Sequence, residues 1–408
     1  MRLNPFRALR PVPEAAARVA APPYDVVNRR EAARLAEGNP LSFLHVGRSD
    51  IDVPDHVEPH DPRVYAKARE NLERLVGGGT LLHEARPSLY LYRQEMEGRA
   101  QVGVVGCVHV DDYEAGVIKK HETTRPDKED DRTRHMLALN AHAEPVFLTY
   151  RGRPEIDRLA DAAMPSPALY DFTARDGVRH TVWRVPDPAP YVEAFTGVPC
   201  AYIADGHHRS ASAWRAAERR RAENPRHRGD EEYNWFLAVL FPAGQVRILP
   251  YNRVVTDLGG LSAREVLERL GSVGRLSPAE NPVPPRAGSF CVYLDGRWHL
   301  LELAEATIDR GDPVGSLDVS LLQERVLAPV LGIGDQRTDK RIDFVGGIRG
   351  TRELKARVDT GEMALAVSMC PITVEQLMAV SDAGRILPPK TTWFEPKLLS
   401  GLFVHRLD

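Results

Sequence analysis

Two stretches of this chain gather the side chains that chemistry needs. The first is Lys119-Lys120-His121-Glu122-Thr123-Thr124-Arg125-Pro126-Asp127-Lys128-Glu129-Asp130-Asp131-Arg132. It interleaves five Lys or Arg with five Asp or Glu around one His. The second, Asp205-Gly206-His207-His208-Arg209, follows the largely apolar run Val198–Ala204 and precedes a helix-compatible run from Ser210. Read as strand, glycine turn and helix, this stretch presents backbone N–H groups and the positive end of a helix dipole. Such a junction is a seat for phosphate or carboxylate. Phosphoryl transfer needs cations and helix N-termini to hold a polyphosphate, a carboxylate for Mg2+, and a base for the acceptor's proton. Lys120, Arg125, Lys128 and Arg209 can supply the first, and Asp205 the second. Glu122, Asp25, His207 or His208 can supply the third.

Plainer readings compete with these. A mixed-charge run is commonly a solvated helix face laced with i,i+4 pairs. Asp205 can be a helix cap, and Asp25, after Pro22-Pro23-Tyr24, a turn residue. The Lys-Lys-His-Glu-Thr-Thr-Arg portion precedes Pro126, which suits the first turn of a helix, so a helix face does not account for it. A zinc site from Asp205, His207, His208, His121 and Glu122 is a further reading, although adjacent histidines diverge on a strand or helix. The chain has no GxGxxG after a strand, no GxSxG and no HExxH. That argues against a dinucleotide oxidoreductase, a serine hydrolase and a zincin.

The elements that must position these residues are legible in outline. Residues 1–28 are punctuated by prolines, and Pro22–Val27 reads as extended. Leu41–Val46 reads as strand, and Val64–Val76 as an amphipathic helix ending at Gly77-Gly78-Gly79, which lacks the Lys-Ser/Thr of a P-loop. Ser88–Met96 and Gln101–His109 read as a hairpin, as do the two pieces flanking Asp176-Gly177 and those flanking Asp295-Gly296. Pro126 opens a helix that continues to about His142. Trp235–Phe241 and Gln245–Val255 read as another hairpin, Asp318–Val330 as a helix, and Met363–Met369 as a strand. The strand pairs look antiparallel. The fold class expected is α+β or mixed α/β, with a first region at 1–255 and a C-terminal α/β region at 256–408 packed against it.

Composition bounds the function. The chain has 408 residues, 43% of them apolar, and a net charge of −3, so no bulk field draws it to nucleic acid or anionic membrane. There is no signal-peptide core and no membrane-length apolar run, and the four cysteines show no CxxC spacing. A cytoplasmic protein with reduced thiols is expected, with small-molecule partners and no nucleic acid or membrane. A homodimer is compatible with all of this.

Ile118–Arg132, Ile203–Arg209 and Pro388-Pro-Lys-Thr-Thr-Trp-Phe-Glu-Pro-Lys-Leu-Leu-Ser-Gly401 resemble the signature segments of a large bacterial family long described as a domain of unknown function. Some members are ATP-dependent, SerK-like kinases of free L-serine, related to archaeal serine kinases of the ParB/sulfiredoxin-like fold. The resemblance implies a ParB/sulfiredoxin-like nucleotide-binding core, with ATP cradled between the glycine turn and the charged loop. The residues expected on the nucleotide are Lys119, Lys120, His121, Thr124, Arg125, Lys128, Arg132, Gly206 and His208, with Asp205 on Mg2+. Catalysis falls to Glu122, Asp25, His207 and Arg209, with Glu122 the first choice for the base and Asp25 the second. The rival expectation is a ParB-like nucleotide switch or NTPase that acts through a protein partner.

Overall fold

The computed structural model describes all 408 residues. It has a mixed α/β architecture divided into two units, Met1–Val246 with Pro396–Asp408, and Arg247–Glu395.

The first unit is built on a nine-stranded mixed sheet. Its strands are β1 (Leu3–Asn4), β2 (Tyr90–Met96), β3 (Arg99–His109), β4 (Ile118–Lys119), β5 (Val146–Tyr150), β6 (Tyr170–Thr173), β7 (Arg179–Arg184), β8 (Ala201–Asp205) and β9 (Trp235–Pro242). The order is β4-β8-β5-β9-β3-β2-β7-β6, with β1 against one end of β3. Pairing is parallel between β8 and β4 and between β9 and β5. The remaining pairs are antiparallel. β9 and β5 lie in the middle and are buried almost throughout, so both read as continuous apolar runs. β2 turns into β3 through Glu97 and Gly98, both at positive φ, the conformation that matches the twist of a two-residue hairpin.

Three helices matter for the site: α1 (Pro62–Gly77), α2 (Pro126–Leu139) and α3 (His207–Glu223). α3 buries Ala211, Ala213, Ala216 and Ala217 in the core that also holds Ala201, Ile203, Val146 and Leu148. Those small side chains let the helix lie close to the sheet. α2 crosses α3, with Ser212 Oγ donating to the Glu129 carbonyl at 3.0 Å and Arg215 paired to Glu129 and Asp130. A second core forms around Phe43, Leu44, Leu72 and Val404, which ties the final residues into this unit.

The second unit carries an antiparallel six-stranded sheet made from β11 (Tyr251–Val255), β12 (Arg275–Pro278), β13 (Ser289–Leu294), β14 (Arg297–Glu302), β15 (Ile342–Gly346) and β16 (Leu365–Met369), in the order β12-β14-β13-β16-β11-β15. A short ribbon pairs β10 (Arg247–Leu249) with β17 (Trp393–Glu395) where the chain enters and leaves this unit.

Several expectations are corrected. The boundary falls at Val246, and Pro396–Asp408 returns to the first unit, because β9 is completed by the central sheet while the next strands join another one. The expected Trp235–Val255 hairpin does not form: β9 pairs with β3 and β5, and β11 with β15 and β16. Leu41–Val46 is not a strand. Leu44–Gly47 is one helical turn, since Phe43, Leu44 and Val46 all bury together, which a strand's alternation would prevent. α2 stops at Leu139, where Asn140 takes the left-handed conformation. The Asp318–Val330 helix contains a π-turn over Gln323–Leu327, just ahead of Pro329. No helix is long and apolar enough to cross a membrane.

Candidate functional site

β8 ends at Asp205, and Gly206 turns the chain into α3 with φ 102° and ψ 32°. That left-handed conformation suits glycine, and a Cβ there would sit 3.1 Å from Nε of Arg209. The N–H groups at the start of α3 are thereby brought to a narrow turn. The start of α2 lies beside it: the backbone N–H of Arg125 donates to Nε2 of His208 at 3.1 Å. Two helix N-termini, each favouring negative charge, are joined at this point.

His207 turns inward. It is 5% exposed, its ring meets that of His121 edge-to-face at 4.4 Å, and its Nδ1 lies 3.7 Å from the Glu122 carboxylate. His121 is 1% exposed, and neither of its ring nitrogens has a hydrogen-bond partner; Nε2 of His207 is likewise unpartnered. Burial pushes the His121 pKa down to about 3 and that of His207 well below its ordinary value, so both rings are neutral near pH 7. Burial also lowers His208, against the opposing charge of Asp25 and Glu129.

Asp205 is flanked by two cations. Its Oδ1 accepts from Arg209 at 3.3 Å and its Oδ2 from Lys397 Nζ at 3.1 Å. Burial alone would raise its pKa, but Lys397 and Arg209 prevail and hold it at about 2. Arg209 is 7% exposed and packs under Gly206, donating to the Pro145 carbonyl as well. Burial disfavours its charge, yet Asp25, Asp205 and Glu144 outweigh this and raise its pKa further. Glu144 has a buried Oε1 without a hydrogen-bond partner, and burial pushes its pKa up to about 7 against the pull of Arg209 and Arg132.

The residues picked out by sequence therefore separate into two sets. Gly206, His207, His208, His121 and Glu122 share the turn, and Asp25 lies within electrostatic reach of Arg209 and His208. Lys128 acts on His208 from the first turn of α2. The other set is engaged elsewhere. Lys120 sits 3.8 Å from the Tyr113 ring, and Lys119 lies over Tyr202. Arg125 pairs with Asp127, and Thr124 donates to Glu129. Arg132 pairs with Asp131 and covers the Tyr24 ring.

Asp205 does not fit the role of a metal ligand, because each of its oxygens already meets a protein cation. The zinc reading fails as well: His207 and His208 diverge, and no group of three His, Cys, Asp or Glu that could hold a metal ion comes together. Two residues of this region escaped the sequence reading. Lys397 stood inside the Pro388–Gly401 segment, and its partner lies 192 residues away. Glu144 carried no local signal.

Residues 3–320 match the family described as "Protein of unknown function (DUF1015)", and the chain belongs to that family. No curated protein matches it. Among solved structures, it is similar to a mutant free serine kinase in complex with AMP at 14% identity, over 72% of this chain and 86% of that one, with a TM-score of 0.36. It is similar to a C-terminally truncated SbnI from Staphylococcus aureus at 13% identity, over 74% and 87%, with a TM-score of 0.38. A conserved hypothetical protein from Pyrococcus furiosus matches at 16% identity, over 74% and 95%, with a TM-score of 0.35.

Proposed function

We propose that this protein transfers the γ-phosphoryl group of ATP to the hydroxyl of free L-serine, giving O-phospho-L-serine and ADP. The observation that carries this reading is the junction of two helix N-termini through Arg125 N–H and His208 Nε2. Backbone donors at Gly206–His208 receive the phosphates, and Lys128 adds charge from α2. The serine oxygen forms a bond to the γ-phosphorus as the bond to the β–γ bridging oxygen breaks, and ADP leaves with that electron pair. The hydroxyl proton goes to a carboxylate. Glu122 is half exposed beside His207 and is our first choice; Asp25, exposed and facing Arg209 and His208, is the second. Mg2+ accompanying ATP would neutralise phosphate charge; since Asp205 does not fit it, no step of this scheme uses a protein-held metal.

Arg209 and Lys120 serve this scheme differently from their expected use as direct phosphate ligands. Arg209 stiffens the turn from beneath, and Lys120 is seated on Tyr113. The test is to incubate pure protein with Mg-ATP and L-serine and to assay phosphoserine, with other hydroxy amino acids and hydroxy acids in parallel. Phosphoserine formed in proportion to ADP supports the proposal. ATP loss without any phosphorylated acceptor would replace it with a nucleotide switch acting through a protein partner.

A further inference from the structure

Lys397 belongs to the chain's return into the first unit, two residues past β17. Its position is fixed from both sides. The Lys397 carbonyl accepts from Nε2 of Gln94 at 2.7 Å, and Oε1 of Gln94 accepts from Nε2 of Gln101 at 2.9 Å. Gln94 is 0% exposed and Gln101 3%, so this amide chain lies inside the protein. Burying two amides is unfavourable unless their bonds are made, and the chain ends on that one carbonyl. Two residues on, Leu399 N–H bonds the Tyr92 hydroxyl, and Ser400 exchanges both backbone bonds with Ala21. The outcome is an ammonium placed 3.1 Å from Asp205, one residue before the phosphate turn.

Three other cations of the region face elsewhere. Arg209 is under the turn, Lys120 is on Tyr113 and Arg125 is on Asp127. The Lys397 side chain is 20% exposed at Asp205, where a group seated on the turn can meet it. Nε2 of His207, at the same helix start, is buried without a hydrogen-bond partner.

We infer that Lys397 is the lysine that binds the outer phosphates of the nucleotide, with Asp205 tethering it in place and the Gln101–Gln94 amides setting its height. This rests on the nucleotide reading above. Asp205 acts on the lysine, and so takes the part of a positioning residue in place of a metal ligand.

The test is calorimetric titration of the full chain with ATP, ADP and AMP, Mg2+ present throughout, for the wild type, Lys397→Met, Lys397→Arg and Gln94→Met. Lys397→Met removes a charge-assisted hydrogen bond to phosphate, and should weaken ATP about 10- to 100-fold while AMP stays within about twofold. Lys397→Arg should restore most of the ATP affinity. Gln94→Met keeps the lysine but frees its carbonyl, and should give a smaller effect in the same order, ATP above ADP above AMP. Equal weakening of all three nucleotides, or no change, would overturn the inference and leave the nucleotide reading standing. A wild type that binds none of the three would overturn both.

Discussion

The backbone N–H of Arg125 reaches Nε2 of His208 at 3.1 Å, joining the residue ahead of α2 to the second residue of α3. Because Nε2 accepts, the ring proton sits on Nδ1. The bond satisfies one of the orphan donors at the start of α2, and it holds the two helix ends at a fixed separation. Replacing His208 by Leu removes the acceptor. The expected result is a nucleotide affinity lowered about 10-fold, with a stability loss of about 1 kcal/mol in urea denaturation.

Gly206 has two constraints, a φ of 102° and the Arg209 side chain 3.1 Å from where a Cβ would be. Arg209 cannot yield freely, since it is bonded to Pro145 and Asp205. Gly206→Ala should destabilise by about 1–3 kcal/mol and weaken nucleotide binding with it. Denaturation and titration of the same variant measure both; a variant as stable as the wild type would show that the turn relaxes.

Glu122 and Asp25 make distinct predictions. If Glu122 takes the hydroxyl proton, Glu122→Gln should lower turnover about 10²- to 10⁴-fold and leave nucleotide affinity unchanged. Asp25→Asn removes a charge that supports Arg209, so its main effect should fall on binding. The reverse pattern in steady-state kinetics and titration would exchange the two roles.

Glu144 has a folded-state pKa raised to about 7 from the ordinary 4.5. The folded protein therefore holds this proton more tightly than the unfolded chain. The stability associated with it is fully present below about pH 4.5 and is lost as the pH rises through 7. Glu144→Gln stays neutral throughout. Urea denaturation at pH 5 and pH 8 should show the difference between variant and wild type moving in the variant's favour at pH 8.

His121 has the opposite sign. Its folded pKa is pushed down to about 3, so the unfolded chain takes a proton below 6.5 that the folded protein refuses. Stability is present above 6.5 and falls with pH towards 3, at up to about 1.4 kcal/mol per pH unit for one proton. His121→Gln should give a shallower fall, by about one proton in the slope between pH 6 and 4. His135 and His180, also buried and held near 4, keep the remaining acid sensitivity in place.

Local chemistry was readable wherever a few neighbouring residues decide the outcome. The Glu97-Gly98 and Asp295-Gly296 turns, the helix opened by Pro126, and the strand-to-helix turn at Gly206 all follow from backbone preferences and stood where the residues indicated. Trp235–Phe241 was readable as a strand but not in its pairing. A run that is apolar on both faces says that it is central and leaves its neighbours unspecified.

The order of residues along the chain sets which groups the site can use: a glycine that permits the turn, the histidines that follow it, and a charged segment ending in a helix start. Tertiary structure decided which way each charge faces. Asp205 could be given to a metal on paper, until the fold brought Lys397 to it from 192 residues away. Lys120 and Arg209 looked equivalent as cations, until packing set one on an aromatic ring and the other beneath the turn. The physical reason is that burial and partner together fix what a charged side chain does. Both are set by segments brought together only when the sheet assembles and the chain's last residues return to it.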